Sequence, residues 1–201
     1  MKHAFRLFSL LVLPTALVVL TGIACDGGSA PDRAWDRGAF MPVPENQKSY
    51  SLPSGITIDS LYGNPDDIPA SYTPLYMVVS NSNSGNKTVT FPTGLVFDPS
   101  NADYQYMMLL QDFTFTAAPG VTDSILVPTY GCNEDLSEPD DESFYAPAGI
   151  EWDKETDELF TIVASKQLVD SATDMAQDAL YEITDGDGLT DATRAALKAL
   201  P

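Results

Sequence analysis

Histidine and cysteine are almost missing from these 201 residues: there is one histidine, His3, and two cysteines, Cys25 and Cys132. His3 sits in an N-terminal segment with a basic start at Lys2 and Arg6 and an uncharged apolar run from Leu7 to Ala24, the pattern of a secretory signal. With residues 1–24 removed, the chain has no imidazole. Ser-His and Cys-His nucleophile pairs and histidine metal sites are then excluded. Basic residues are also scarce. Ten Lys and Arg face 29 Asp and Glu, and loss of Lys2 and Arg6 leaves eight against the same 29. Such a surface repels nucleic acid and anionic headgroups and favours solvent, cations or a basic partner. No Gly-rich phosphate loop, nucleophile elbow or repeated unit is present. With so many acidic residues, carboxylate pairs suited to glycoside hydrolysis arise by chance, so a carbohydrate enzyme is the weakest of the functional classes considered.

The apolar run ends GIAC, with Gly22 and Ala24 around Ile23 just before Cys25. This resembles the lipobox of bacterial lipoproteins, with Gly22 where an aliphatic residue is commoner. The resemblance implies a diacylglyceryl group on Cys25 and a membrane-held protein facing the periplasm or exterior. Two acyl chains bury dozens of methylenes at ~0.8 kcal/mol each, enough for stable anchoring. The alternatives are a secreted protein cut after Ala24 or an uncleaved anchor helix. With Cys25 lipidated, Cys132 has no disulfide partner in the chain.

Residues 25–48, rich in Gly, Pro and polar side chains, are expected to be a lipidated tether on which Trp35, Phe40 and Met41 could contact the domain. From residue 49 to 132, short β-branched and aromatic runs (ITIDSLYG, YTPLYMVVSN, KTVTF, GLVFD, YQYMMLLQDFTFTA, VTDSILVPTYG) alternate with Gly, Pro, Asn and Asp clusters. The expected fold is mainly β, an antiparallel immunoglobulin-like β-sandwich. Residues 133–158 hold eleven carboxylates between Glu134 and Glu158 and are expected to form a long exposed loop. Residues 159–201 are expected to pack on the sandwich as a helical pair. One stripe comprises Val169, Ala172, Ala176, Ala179, Leu180 and Ile183, and the other Ala192, Ala195, Ala196 and Ala199 or Leu200. Thr190 or Asp191 is placed to cap the second helix.

ITDGDGLTDATRAAL has the look of a calcium loop, but aligning Gly188 with the required glycine puts Ile183 first and Arg194 twelfth, where oxygen ligands are needed. Asp185 and Asp187 remain as weak cation candidates in a helix-to-helix turn. Asp140, Asp141 and Glu142 are equally weak, because their spacing matches no known loop. No cofactor beyond the lipid anchor is expected, with calcium the only ion considered.

The most specific pattern joins TYGCNED around Cys132 to MAQDALYEITDG around Gln177. It resembles the thioester domains of bacterial surface proteins. There a cysteine beside a strand attacks a glutamine amide in a Gln-x-Ala-aliphatic-aromatic helix and expels ammonia. Gln177, Ala179, Leu180 and Tyr181 follow that order, while Gly131 stands where an aromatic residue often precedes the cysteine. The resemblance implies a Cys132–Gln177 thioester, screened from water by Tyr130, Trp152 and Tyr181, that couples to amines on a target. The leading expectation is a membrane-tethered lipoprotein with a non-enzymatic binding or envelope-structural role, an unknown protein or surface partner and a reduced, buried Cys132, and the thioester module is its alternative.

Overall fold

A computed structural model of the protein describes residues 48–63, 73–150 and 154–201. The signal, Cys25, Trp35, Phe40, Met41 and Trp152 lie outside the described residues. The described chain is mainly antiparallel β with three short helices. Its strands are β1 (Lys48–Ser49), β2 (Ile56–Gly63), β3 (Leu75–Asn81), β4 (Lys87–Phe91), β5 (Leu95–Pro99), β6 (Met107–Met108), β7 (Phe113–Ala117), β8 (Thr122–Val127), β9 (Tyr130–Gly131) and β10 (Tyr145–Ile150). The helices are α1 (Lys154–Val163), α2 (Ser171–Thr184) and α3 (Asp191–Ala199). The strands form a five-stranded sheet in the order β1-β10-β5-β6-β9, a three-stranded sheet β2-β3-β8 and a pair β4-β7. Among the described residues no helix is long and apolar enough to cross a membrane.

Alternation builds these strands. On β4 Val89 and Phe91 are buried while Lys87, Thr88 and Thr90 are exposed, and β7 matches with Phe115 and Ala117 inward. β5 differs, because Leu95, Val96 and Phe97 are all buried. Leu95 and Phe97 join a core drawn from all three sheets, in which Phe91 packs edge-on against Phe97 and Phe115 at ring distances of 5.8 and 5.5 Å. Val96 and Met108 turn to a second core formed with the helices through Leu159, Val163, Ala176, Ala179, Leu180, Ile183 and Leu197. Opposite faces of β5 and β6 therefore serve two cores, and the helices cover the second.

The described residues of the 133–158 segment are not a long exposed loop. They contain β10, paired between β1 and β5, and the first turns of α1. The segment before β10 is fastened through its backbone: Gln105 N–H donates to Ser137 O, Ser137 N–H to Asp103 O, and Gly63 N–H to Ser143 O. Gly63 lets it approach, since a Cβ there would lie 2.3 Å from Asp140 N. Glu134, Asp135, Glu138, Asp141 and Glu142 remain exposed while Pro139, Ser143 and Tyr145 are buried.

The helical pair is also corrected to three helices. α1 buries Thr156, Leu159 and Val163, with Glu155 and Asp157 in its first turn, where carboxylates suit the helix dipole. α2 buries its expected stripe from Ala172 to Ile183 and ends at Thr184, but Val169 lies before the helix and is half exposed. The turn uses Gly188 at φ +94°, and Thr190 Oγ1 caps α3 by accepting from Thr193 N–H at 3.1 Å. On α3 Leu197 is the buried residue, whereas Ala192, Ala195 and Ala199 are exposed. Leucine has the larger apolar surface to remove from water, so it sets the rotation of the helix.

Candidate functional site

β9 is two residues long and forms an edge of the five-stranded sheet. On one side it pairs with β6, and just beyond it Cys132 N–H donates to Tyr106 O at 2.9 Å. Gly131 directs its peptide groups the other way, towards α2. There Gly131 N–H donates to Gln177 Oε1 at 2.8 Å, and Gln177 Nε2 donates back to Gly131 O at 2.8 Å. The side-chain amide stands in for a neighbouring strand and closes the edge. Gln177 is fully buried.

The two candidate thioester residues are thus brought to one place: the amide of Gln177 is clasped by the residue bonded to Cys132. Cys132 is itself fully buried, in the helix-facing core with Tyr130, Ala176, Ala179 and Leu180. Around them lies a polar cluster that sequence reasoning missed. Tyr181 Oη donates to Gln105 Oε1 at 3.1 Å, Gln105 Nε2 to Leu136 O at 3.1 Å, and Tyr145 Oη to Gln105 O at 3.2 Å. A Cβ on Gly131 would stand 1.8 Å from Gln105 Oε1 and 3.0 Å from Tyr181 Oη. That closeness excludes an aromatic residue at 131. The available signals were a lone amide within the apolar run YQYMM and a glycine ending a short strand, which marks close backbone approach.

The surroundings are dry. Tyr130 is 3% exposed, and burial pushes its hydroxyl up to about 12. Burial likewise raises Tyr145. Both remain neutral walls at ordinary pH. On the solvent side Tyr181 is half-buried and lines an open cleft of about 360 Å³ with Glu134, Asp178, Glu182, Asp185 and Gly186. Of the expected screening residues, Tyr130 and Tyr181 therefore lie beside the clasp.

The cation candidates hold protein donors. Asp185 Oδ2 accepts from Thr184 Oγ1 at 2.7 Å and from Glu134 N–H at 3.3 Å, while Asp187 is exposed. Asp140 accepts from Tyr104 Oη at 2.9 Å and Glu142 N–H at 3.0 Å. Burial works to raise its pKa, but these bonds and those from Ser143 outweigh it and hold the carboxyl below its ordinary value. Asp141 and Glu142 are exposed. Among the described residues no three His, Cys, Asp or Glu side chains gather as a metal would require.

Chemically, the clasp offers a buried backbone N–H on the oxygen of an amide, the arrangement that polarises a carbonyl and stabilises charge developing on it. No protein-family model, curated protein or solved structure matches the chain.

Proposed function

We propose that this chain is a membrane-tethered extracytoplasmic lipoprotein that carries an internal Cys132–Gln177 thioester on an immunoglobulin-like β-sandwich and couples it to amines of a target surface. The observation that carries this reading is the buried clasp between the Gln177 amide and Gly131, the residue preceding Cys132. Cys132 Sγ attacks Gln177 Cδ, with Gly131 N–H donating to the oxygen as it becomes negative. The C–S bond forms, the C–N bond breaks, and ammonia leaves with the thiol proton. A target amine later attacks the same carbon, the C–S bond breaks, and the sulfur regains a proton. Each bond is made once per molecule, so this is coupling rather than enzymatic turnover. Lipidation of Cys25 would hold the module on the envelope. The sandwich reading draws on the core shared by all three sheets.

One observation favours the alternative, a binding or envelope-structural lipoprotein without covalent chemistry: the Gln177 amide is already hydrogen-bonded at both ends, as a purely structural edge cap would be. Intact-protein mass spectrometry in amine-free buffer separates the two. A mass short of one ammonia, restored to full value by Cys132→Ala, is the expected result. Full mass in freshly prepared unmodified protein leaves only the edge cap.

A further inference from the structure

Gly131 is gripped from two directions. On one, the Gln177 amide bonds its N–H and its O; on the other, Gln105 Oε1 fills the space of a side chain, 1.8 Å from where a Cβ would stand. Gln105 is firmly placed. It is 2% exposed, its N–H donates to Ser137 O at 2.9 Å, its Nε2 to Leu136 O at 3.1 Å, and its O accepts from Tyr145 Oη at 3.2 Å. These partners lie in β10 or the segment before it, so Gln105 is tied to the sheet side of the fold. α2 reaches this fixed point through Tyr181, one helical turn beyond Gln177, whose Oη donates to Gln105 Oε1 at 3.1 Å. The helix therefore meets Gly131 twice, directly through Gln177 and by way of Gln105 through Tyr181. A helix held at one point can pivot, whereas two holds a turn apart set its tilt and depth. Attack on an amide carbon needs the reacting atoms about 3–3.5 Å apart, and a misplacement of about 1 Å can cost about a hundredfold in rate.

Resting on the thioester reading above, we infer that Gln105 and Tyr181 are a positioning pair for closure of the Cys132–Gln177 bond. Gln105 fixes the face of Gly131, and the Tyr181 hydroxyl holds α2 at the depth where Gln177 Cδ comes within reach of Cys132 Sγ. Both act through Gly131 and Gln177 and supply no proton or electron pair to the reaction. The hydroxyl's role is thus separate from any screening of the bond by the Tyr181 ring.

The test uses the full chain purified in mild detergent. Concentrated ammonia reopens the thioester to the Gln177 amide and free Cys132; desalting lets it close again, and the loss of one ammonia is timed by intact mass. Tyr181→Phe keeps the ring and is expected to close about tenfold more slowly than the unmodified protein. Hydrolysis of its closed bond, which reads the ring as a screen, should keep its rate. Gln105→Met should slow closure at least as much, and adding Tyr181→Phe to it should slow closure no further, because both changes remove the same hydrogen bond. Tyr50→Phe removes a hydroxyl bond at the other core, to Thr90 O at 3.3 Å, and should close at the unmodified rate. Closure of Tyr181→Phe at the unmodified rate, equal slowing in Tyr50→Phe, or additive slowing in the double variant overturns the positioning pair and leaves the thioester standing. Should Gln105→Met fail to fold, Tyr181→Phe against Tyr50→Phe decides alone. Full mass in the unmodified protein before any ammonia is added overturns both.

Discussion

A methyl group on Gly131 would come within 1.8 Å of Gln105 Oε1, and Gln105 is itself held by Leu136 and Tyr181, so it has little room to retreat. Gly131→Ala should therefore lower stability by about 1–3 kcal/mol, the usual cost of overpacking, read as a lower urea midpoint at unchanged slope. Gln177→Ala acts on the same place in the opposite sense. It strands a buried N–H and a buried C=O on Gly131, at about 1–3 kcal/mol each. Asp170 is a different kind of residue. It precedes α2 at φ 51° and ψ −129°, a conformation natural to glycine, and its side chain forms no cap. Relief of about 1–3 kcal/mol of strain outweighs the extra flexibility of an unfolded glycine, so Asp170→Gly should raise the urea midpoint, by about 1 kcal/mol net.

At the scale of elements, the junction of α1 and α3 rests on Arg194. Its Nε meets Glu158 Oε1 at 2.7 Å and its Nη2 meets Oε2 at 3.1 Å. The hydrogen bond from Arg194 outweighs the opposing effect of burial and holds Glu158 below its ordinary 4.5. A depressed carboxyl contributes stability that is complete above its unfolded value and is lost as pH falls through its folded value. The melting temperatures of the unmodified protein and Glu158→Gln should thus differ at pH 7 and converge as pH falls through the lowered folded value of Glu158. A gap that persists in acid would assign the effect to packing. The strands β2, β4 and β7 could be read from the sequence because each alternates or is bounded by Gly, Pro and Asn clusters. β10 could not. Its residues YAPAGI carry proline and glycine and lie in a run of carboxylates, and only pairing between β1 and β5 makes them a strand. The charge density was real, but it belongs to exposed side chains on a backbone that is tied down. The rotation of α3 is not legible in the sequence because alanines mark no face strongly, whereas the Cys132 and Gln177 motifs meet in the fold through Gly131. The edge-capping role of Gln177 was hidden, since it depends on β9 ending a sheet.

The whole molecule carries a formal charge of −19. Repulsion among so many carboxylates opposes compaction, and salt weakens it at distances beyond about 10 Å in 0.1 M solution. Raising ionic strength at pH 7 should increase the melting temperature, even though the Arg194 ion pair weakens slightly; a decrease would show that local ion pairs outweigh long-range repulsion. On the proposed function, the same field would draw cationic targets towards the chain and make capture salt-sensitive. The central claim concerns one bond, between Cys132 and Gln177. Its most direct test is a high-resolution crystal structure of freshly prepared, amine-free protein. Continuous density from Cys132 Sγ to Gln177 Cδ at single-bond length, with Gly131 N–H still directed at the Gln177 oxygen, is the predicted result. A separate thiol beside an intact Gln177 amide, hydrogen-bonded to Gly131 at both ends, would contradict it.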